Sequence, residues 1–491
     1  MNKNKLFSHT TPESLGIPST SILNFLERIE EEQINMHGFL VLRRGQIAAE
    51  GYWTPYSRDR MHRMYSVSKS FVSLAVGLMV DEGKLKLEDR IVTFFGEKVP
   101  SNVHPYVEQA TIRDLLMMAS PFQGTTYSVN DGDWAATYFN KKPSHLPGTI
   151  FSYDTSATVI LNTIVEQMSG TTFLEYMREK VLDPIGFSKE AWSVQTPEGT
   201  SWGGSGVSCT LRDMAKLAYV CLNQGRWNDD QLISEEYIRA ATSKQIDNSI
   251  MYREGYGYQI WREKDNGFSF EGMGSQLALC FPDEEFIFAC IADTQMMKHT
   301  GTLLIKNIFR EEIYKKLHDR PLINDDVSYE KLLQKIKGLN VKPEEGNLTS
   351  SYVKKVNEKW FVLNENPMNI SRLRFIFSGE EAVFEYENKT GKHQLEFGIG
   401  KQKSSVFPEK HYFGKQIGVA LGKGYDCLVS GAWVEEHKLN LLAYITDHYL
   451  GTARMSFSFK GNEISVQMMK EAEWFLEEYR GFASGALLIA E

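Results

Sequence analysis

No stretch of this chain approaches the roughly 18 uninterrupted apolar residues that a membrane-spanning helix needs. Its first residues, MNKNKLFSHTTPESLG, carry lysines but not the apolar core of a secretory signal. Residence in the cytoplasm, with no membrane partner, is the expectation. Cysteine is scarce: Cys209, Cys221, Cys280, Cys290 and Cys427 are odd in number and form no C-x-x-C. That pattern excludes a disulfide framework and a zinc knuckle, and it points to buried free thiols. H-E-x-x-H is absent too, so neither a metal nor another cofactor is expected. Positive charge is in deficit, with 54 Lys and Arg against 63 Asp and Glu for a net −9, which leaves no electrostatic footprint for a nucleic acid.

Apolar residues, by contrast, are plentiful. At 491 residues and 42% hydrophobic, the chain can bury a large core and is longer than one domain usually needs. Ser66, Val67, Ser68 and Lys69 open the segment SVSKSFVSLAVGL, apolar nearly all round and therefore predicted to be a helix buried in a core. Residues three apart on a helix share a face, so Lys69 can reach the Ser66 hydroxyl. A serine hydroxyl is a poor nucleophile until a base takes its proton, and burial favours the neutral amine of a lysine. Farther on, the Pro147-Gly148 turn leads to Tyr153, followed by Ala157, Ile160, Leu161, Ile164 and Val165 at helical spacing. Tyr153 thus sits at a helix entrance. Burial acts on a phenol in the opposite sense, so a phenolate at Tyr153 requires positive charge nearby. A neutral Lys69 is the simpler base, although the two groups would titrate as a coupled pair.

Together with Pro12 to Ile17, Phe39 to Gly45, Tyr65 to Phe71, Thr111 to Leu116, Ser120-Pro121 and Thr210 to Lys216, these segments carry a resemblance. Over residues 10 to 315 the chain resembles the class C-like superfamily of serine β-lactamases, D-alanyl-D-alanine carboxypeptidases and esterases. Asp133-Trp134, Trp192, Gly255 to Trp261 and Gly272 to Gln276 are most similar to the branch of aminohexanoate-dimer hydrolases and related esterases. The resemblance implies Ser66 as nucleophile, Lys69 as its base or orienter and Tyr153 as proton relay to the leaving atom. It also implies an α+β fold, an antiparallel sheet flanked by helices with a helical subdomain. The expected reaction is cleavage of a small ester or short peptide-like amide through an acyl-enzyme on Ser66. The rivals are β-lactamase, D-alanyl carboxypeptidase or D-aminopeptidase activity, and a non-catalytic sensor or scaffold on the same fold.

Two positions depart from the family pattern. Thr155 stands where the family has asparagine two residues after the tyrosine, and the strand Phe268-Ser269-Phe270-Glu271-Gly272 carries no cation where the family has Lys-Thr-Gly or His-x-Gly. His299-Thr300-Gly301 matches the latter as a string but follows the two strands that should come after it, so it reads as the start of a closing helix. An oxyanion hole needs two donors, expected from the Ser66 amide and from the 271–276 strand, where Gly272, Gly274, Ser275 and Gln276 are candidate contacts. Thr155 and Trp134 complete the candidate substrate residues, Trp134 lying in the long segment between Ser120 and Pro147, with Phe122 and Tyr127 beside it.

Beyond the polar run Asn324-Asp325-Asp326 the pattern changes to strands. Leu373, Phe375 and Phe377, then Leu395, Phe397 and Ile399, then Met455, Phe457 and Phe459, then Ile464, Val466 and Met468 alternate with polar residues. The division expected is residues 1–325 for the hydrolase-like domain and 326–491 for a smaller antiparallel β-barrel or lipocalin-like domain. That second domain could gate the substrate, hold subunits together as a homo-oligomer, or bind an apolar ligand. Core packing is the expected role of Trp433 and Trp474.

Overall fold

The computed structural model describes residues 6–488 apart from 129, 249–253, 409, 410, 414–416, 420–423 and 474. The chain divides into two compact units, Met1–Val341 and Lys342–Glu491.

In the first unit, α1 (Ser19–Glu31) precedes the hairpin β1 (Met36–Arg43) and β2 (Gln46–Tyr52). A short strand, β3 (His62–Arg63), runs through a 3-10 turn (Tyr65–Val67) into α2 (Ser68–Asp81). Then follow α3 (Trp134–Asn140), α4 (Thr155–Ser169), β4 (Val207–Cys209), α5 (Leu211–Leu222), β5 (Trp261–Arg262), β6 (Phe268–Gly272), β7 (Gln276–Phe281), β8 (Phe286–Ala292), α6 (His299–Glu312) and α7 (Asp326–Lys337). The main sheet has the order β2-β1-β8-β7-β6-β5, antiparallel throughout.

Side chains alternate across this sheet. Leu40, Leu42, Ile287 and Ala289 join the core that holds Leu211, Met214 and Ala218 of α5. On the other face Phe288 meets Phe25 of α1 at 5.2 Å and Phe309 of α6 at 4.8 Å. Covered on both sides, β1, β7 and β8 are buried along their whole length, which explains the apolar runs Phe39 to Leu42, Leu277 to Phe281 and Phe286 to Ala292. Helix α2 is buried from Ser68 to Met79, as a helix apolar on every face must be. The strings Thr111-x-x-Asp114 and Thr210-x-x-Asp213 are both reciprocal capping boxes, each threonine accepting from the aspartate's amide and each aspartate from the threonine's.

Helix α7 lies with the first unit. Lys335 pairs with Glu30 of α1 at 2.6 Å, and Leu332 is fully buried. The polar segment before it is fastened down as well: Arg43 donates to the His318 carbonyl at 2.7 Å, and the Leu322 amide donates to the Glu13 carbonyl at 2.8 Å. The compact division therefore comes after Val341, one helix beyond the polar run.

The second unit is a barrel. Its strands are β9 (Phe361–Leu363), β10 (Arg372–Ser378), β11 (Glu381–Asn388), β12 (Gly391–Ile399), β13 (Lys403–Phe407), β14 (Tyr425–Glu435), β15 (Lys438–Thr446), β16 (Leu450–Lys460), β17 (Glu463–Ala472) and β18 (Gly481–Leu487). The sheet runs β12-β11-β10-β9-β18-β17-β16-β15-β14, with β13 on the far side of β14, and it closes through a parallel contact of Gly398 and Ile399 in β12 with Ser430 and Gly431 in β14. Closure leaves nine strands without a free edge. Aromatic rings fill the interior: Phe375 meets Phe457 at 4.8 Å, Phe384 meets Phe457 at 5.0 Å, and fully buried Trp433 meets Phe459 at 6.0 Å. Trp433 is thus a core residue, while Trp474 lies outside the described residues. All five cysteines are free and buried, and burial raises their thiols above the usual range. Among the described residues no helix is long and apolar enough to cross a membrane.

Candidate active site

Ser66 stands where β3 turns into α2. Tyr65 makes the turn at φ +47°, a left-handed conformation uncommon for a bulky residue. Two bonds through one hydroxyl hold it: Ser68 Oγ donates to the Tyr65 carbonyl at 2.6 Å and accepts the Val207 amide of β4 at 2.9 Å. Arg63, fully buried, donates from Nε to the Ser205 carbonyl at 2.5 Å and lies under the rings of Tyr65 and Trp202. The Ser66 side chain faces partly into solvent.

Lys69 follows one turn later with only 1% of its surface exposed. Its Nζ lies 3.1 Å from Ser66 Oγ and donates to the Gly204 carbonyl at 2.5 Å. Tyr153 brings its ring over the same nitrogen, 5.0 Å from the ring centroid. The three expected groups therefore converge. The Tyr153 backbone is set by its neighbour Asp154, which caps α4 by accepting from the Ser156 amide at 2.8 Å and from Ser120 Oγ at 2.7 Å. Burial raises the Asp154 carboxyl, and the Ser156 and Ser120 hydrogen bonds draw it back down.

Gly204 was not singled out from sequence, although the run Trp202-Gly203-Gly204-Ser205-Gly206 is a visible signal of close backbone approach. A Cβ on Gly204 would lie 2.4 Å from the Thr155 methyl. Thr155 therefore packs its methyl group on the peptide that holds Lys69.

The facing strand comes as close. A Cβ on Gly272 would sit 2.2 Å from the Met64 carbonyl, so the end of β6 lies directly on the backbone just before Ser66. Replacing Gly272 by valine is expected to force the two apart. Overpacking of this kind costs about 1–3 kcal/mol, and we expect a lowered melting temperature with a fall in kcat/KM of about 100-fold or more, since donor displacement alone has that effect. Wild-type kcat/KM in this variant would contradict the placement. Beyond Gly272 the chain turns through Gly274 (φ +74°) and Ser275 (φ +71°). Ser275 Oγ is buried against Thr294 Oγ1 at 2.6 Å and Thr302 Oγ1 at 2.9 Å. Gln276 is fully buried, donating to the carbonyls of Met273 at 2.9 Å and Ala292 at 2.7 Å. Both side chains point inward and lock the turn; Met273, 37% exposed, is what the turn presents outward. Trp134 is also fully buried, stacked on Tyr127 at 4.0 Å and edge-on to Trp202 at 5.4 Å, so it pins the 120–147 segment from within.

Strand β6 carries no cation of its own, yet α6 brings one to it. Lys306 Nζ pairs with Glu271 and, at 2.6 Å, with Glu263, while Ser269 Oγ lies within hydrogen-bond distance of both carboxylates, at 2.9 and 2.8 Å, with one proton to give. His299 opens α6 after β7 and β8, as its place in the chain order requires.

Behind β3 lies a buried histidine pair. His37 Nδ1 and His62 Nε2 are 2.8 Å apart, and His37 stacks on Tyr56 at 3.8 Å. Burial pushes His62 from 6.5 down to about 4 and His37 well below its usual range, with the Arg60 charge acting the same way. Below pH 6.5 the unfolded chain therefore binds protons that the folded one refuses. Through His62 alone, stability should fall by about 1.4 kcal/mol for each pH unit between 6.5 and about 4, and His37 acts in the same direction. Urea unfolding at pH 7, 5.5 and 4.5 should show this slope, and His62→Gln should reduce it; an equal slope in both proteins would place the acid sensitivity elsewhere.

Comparison with known proteins supplies the family. A 6-aminohexanoate-dimer hydrolase of Paenarthrobacter ureafaciens is 26% identical over 280 residues, which cover 52% of this chain and 71% of its own. A beta-lactamase of Escherichia coli (strain K12) is 23% identical over 231 residues, covering 42% and 59%. Among solved structures, a candidate 6-aminohexanoate-dimer hydrolase from Bacillus anthracis superimposes with a TM-score of 0.51 at 17% identity, over 64% of this chain and 88% of that one. SurE superimposes with 0.51 at 14% identity, over 85% and 94%. At such identity the structural likeness is one of fold. Residues 25–302, more than half of the chain, match the Beta-lactamase family, and the chain belongs to that family of serine hydrolases.

Proposed function

We propose that the enzyme cleaves a small ester or a short peptide-like amide through an acyl-enzyme on Ser66. The observation that carries this reading is the 3.1 Å contact of buried Lys69 Nζ with Ser66 Oγ. Neutral Lys69 takes the Ser66 proton as Oγ attacks the carbonyl carbon. The oxygen that becomes negative is met by the Ser66 amide and by the amide of Met273, the residue after Gly272. On collapse, the bond between acyl carbon and leaving atom breaks and its electron pair takes the phenolic proton of Tyr153. Tyr153 recovers a proton from the Lys69 ammonium. Water then repeats the sequence in reverse and frees the acid.

An uncyclised ester or amide is favoured over a β-lactam because the cation beside β6, Lys306, is already held by two carboxylates, which leaves a substrate carboxylate poorly served. The Paenarthrobacter relative, named for hydrolysing a dimer of an amino acid, supports the same choice. The test is a panel of p-nitrophenyl butyrate, a short-acyl p-nitroanilide and a chromogenic cephalosporin. Turnover of the ester or the anilide with little of the cephalosporin is expected; preference for the cephalosporin would overturn the substrate class.

A further inference from the structure

We propose that Trp261 is a positioning residue for Tyr153, holding the phenol ring in the one orientation from which its hydroxyl serves the leaving atom. The proposal rests on the reading that Tyr153 delivers that proton. The Asp154 cap fixes the Tyr153 backbone but not the ring, which is only partly buried and turns on two side-chain torsions. Trp261 constrains the ring by stacking, with its own ring 5.6 Å from that of Tyr153 and the planes 14° apart.

Trp261 is itself immobilised. It is 8% exposed and boxed by Tyr256, edge-on at 4.6 Å, and by Phe151 at 5.7 Å, the latter two residues being 5.2 Å apart. Its backbone pairs with Ser269 of β6, three residues before Gly272. The segment leading to it is tied to both helices of the site through one buried residue, Gln259, by its main-chain carbonyl and its side chain. Ser70 Oγ, next to Lys69, donates to the Gln259 carbonyl at 2.8 Å; Thr158 Oγ1, in the first turn after Tyr153, donates to Gln259 Oε1 at 2.7 Å; and Gln259 Nε2 donates to the Leu115 carbonyl at 2.8 Å. The indole therefore reports the positions of α2, α4 and β6 to the Tyr153 ring. Moving the indole would move the hydroxyl while Ser66, Lys69 and the oxyanion donors stayed in place.

Leaving groups differ in their need for a proton: p-nitrophenolate departs without one, whereas an alkoxide or an amide nitrogen does not. The experiment measures kcat/KM, which reports acylation, for p-nitrophenyl, phenyl and ethyl butyrate with wild type, Tyr153→Phe, Trp261→Leu and Trp261→Phe. Trp261→Leu is expected to lose at least about tenfold more on the ethyl than on the p-nitrophenyl ester, in the range general acids contribute, and Trp261→Phe, which keeps a stacking ring, should recover most of it. Equal losses on all three esters, with or without a lowered melting temperature, would make Trp261 structural only and overturn the proposal. No loss at all would do the same. If Tyr153→Phe itself discriminates among the esters and Trp261→Leu does not, this inference alone fails. If Tyr153→Phe does not discriminate, the role of Tyr153 fails first and takes the positioning role with it.

Discussion

Alanine at position 66 is expected to lower kcat on p-nitrophenyl butyrate by at least about four orders of magnitude, the usual cost of removing a serine nucleophile. Oγ is the atom that the site is built to present. The left-handed Tyr65 turns it out of the core, Ser68 fixes that turn to β4, and Lys69 Nζ lies 3.1 Å away. Because Ser66 is only partly buried and its hydroxyl caps no helix, the variant should unfold at the wild-type temperature. Steady-state rates beside a thermal melt check both halves; substantial turnover by Ser66→Ala would remove the nucleophile assignment.

Methionine at position 69 should cost roughly two to four orders of magnitude in kcat, the span general bases supply. Met keeps most of the side-chain volume and removes the amine, so packing survives while Ser66 Oγ loses its proton acceptor. The Gly204 carbonyl loses its donor, a buried unsatisfied acceptor worth about 1–3 kcal/mol, and the relief of no longer burying an amine offsets part of that. A near-normal circular dichroism spectrum with a melting temperature shifted by only a few degrees is expected. Arginine at 69 should not rescue activity, because a guanidinium does not give up its proton in a protein. Near-normal kcat in Lys69→Met would exclude the lysine as base.

The sequence made local relations legible and left the long-range ones out. Ser66 and Lys69 share a helix face, so three positions of spacing suffice to pair them. The capping boxes at Thr111 and Thr210 and the period-two alternation that folds into the barrel are equally short-range. Lys69 meets the Gly204 carbonyl across 135 positions, and Tyr153 meets Trp261 across 108, contacts no spacing rule reaches. Side-chain direction was hidden for the same reason. Ser275 and Gln276 turn inward because Thr294, Thr302 and the Ala292 carbonyl wait for them on neighbouring elements. Trp134 is covered by Tyr127 and Trp202, the latter 68 positions away in the chain. The polar run Asn324-Asp325-Asp326 reads as the domain boundary, yet the backbone just before it, at His318 and Leu322, is bonded to Gly16, Glu13 and Arg43 of the first unit.

The central claim is a covalent acyl group on one named oxygen. Quenching the wild-type reaction with p-nitrophenyl butyrate within the first turnovers, weighing the intact protein and mapping the modified peptide by fragmentation tests it most directly. A butyryl mass on the peptide containing Ser66, absent from Ser66→Ala, is the predicted result. Turnover with the acyl group on a different residue, or with a butyryl adduct formed equally in Ser66→Ala, would contradict it.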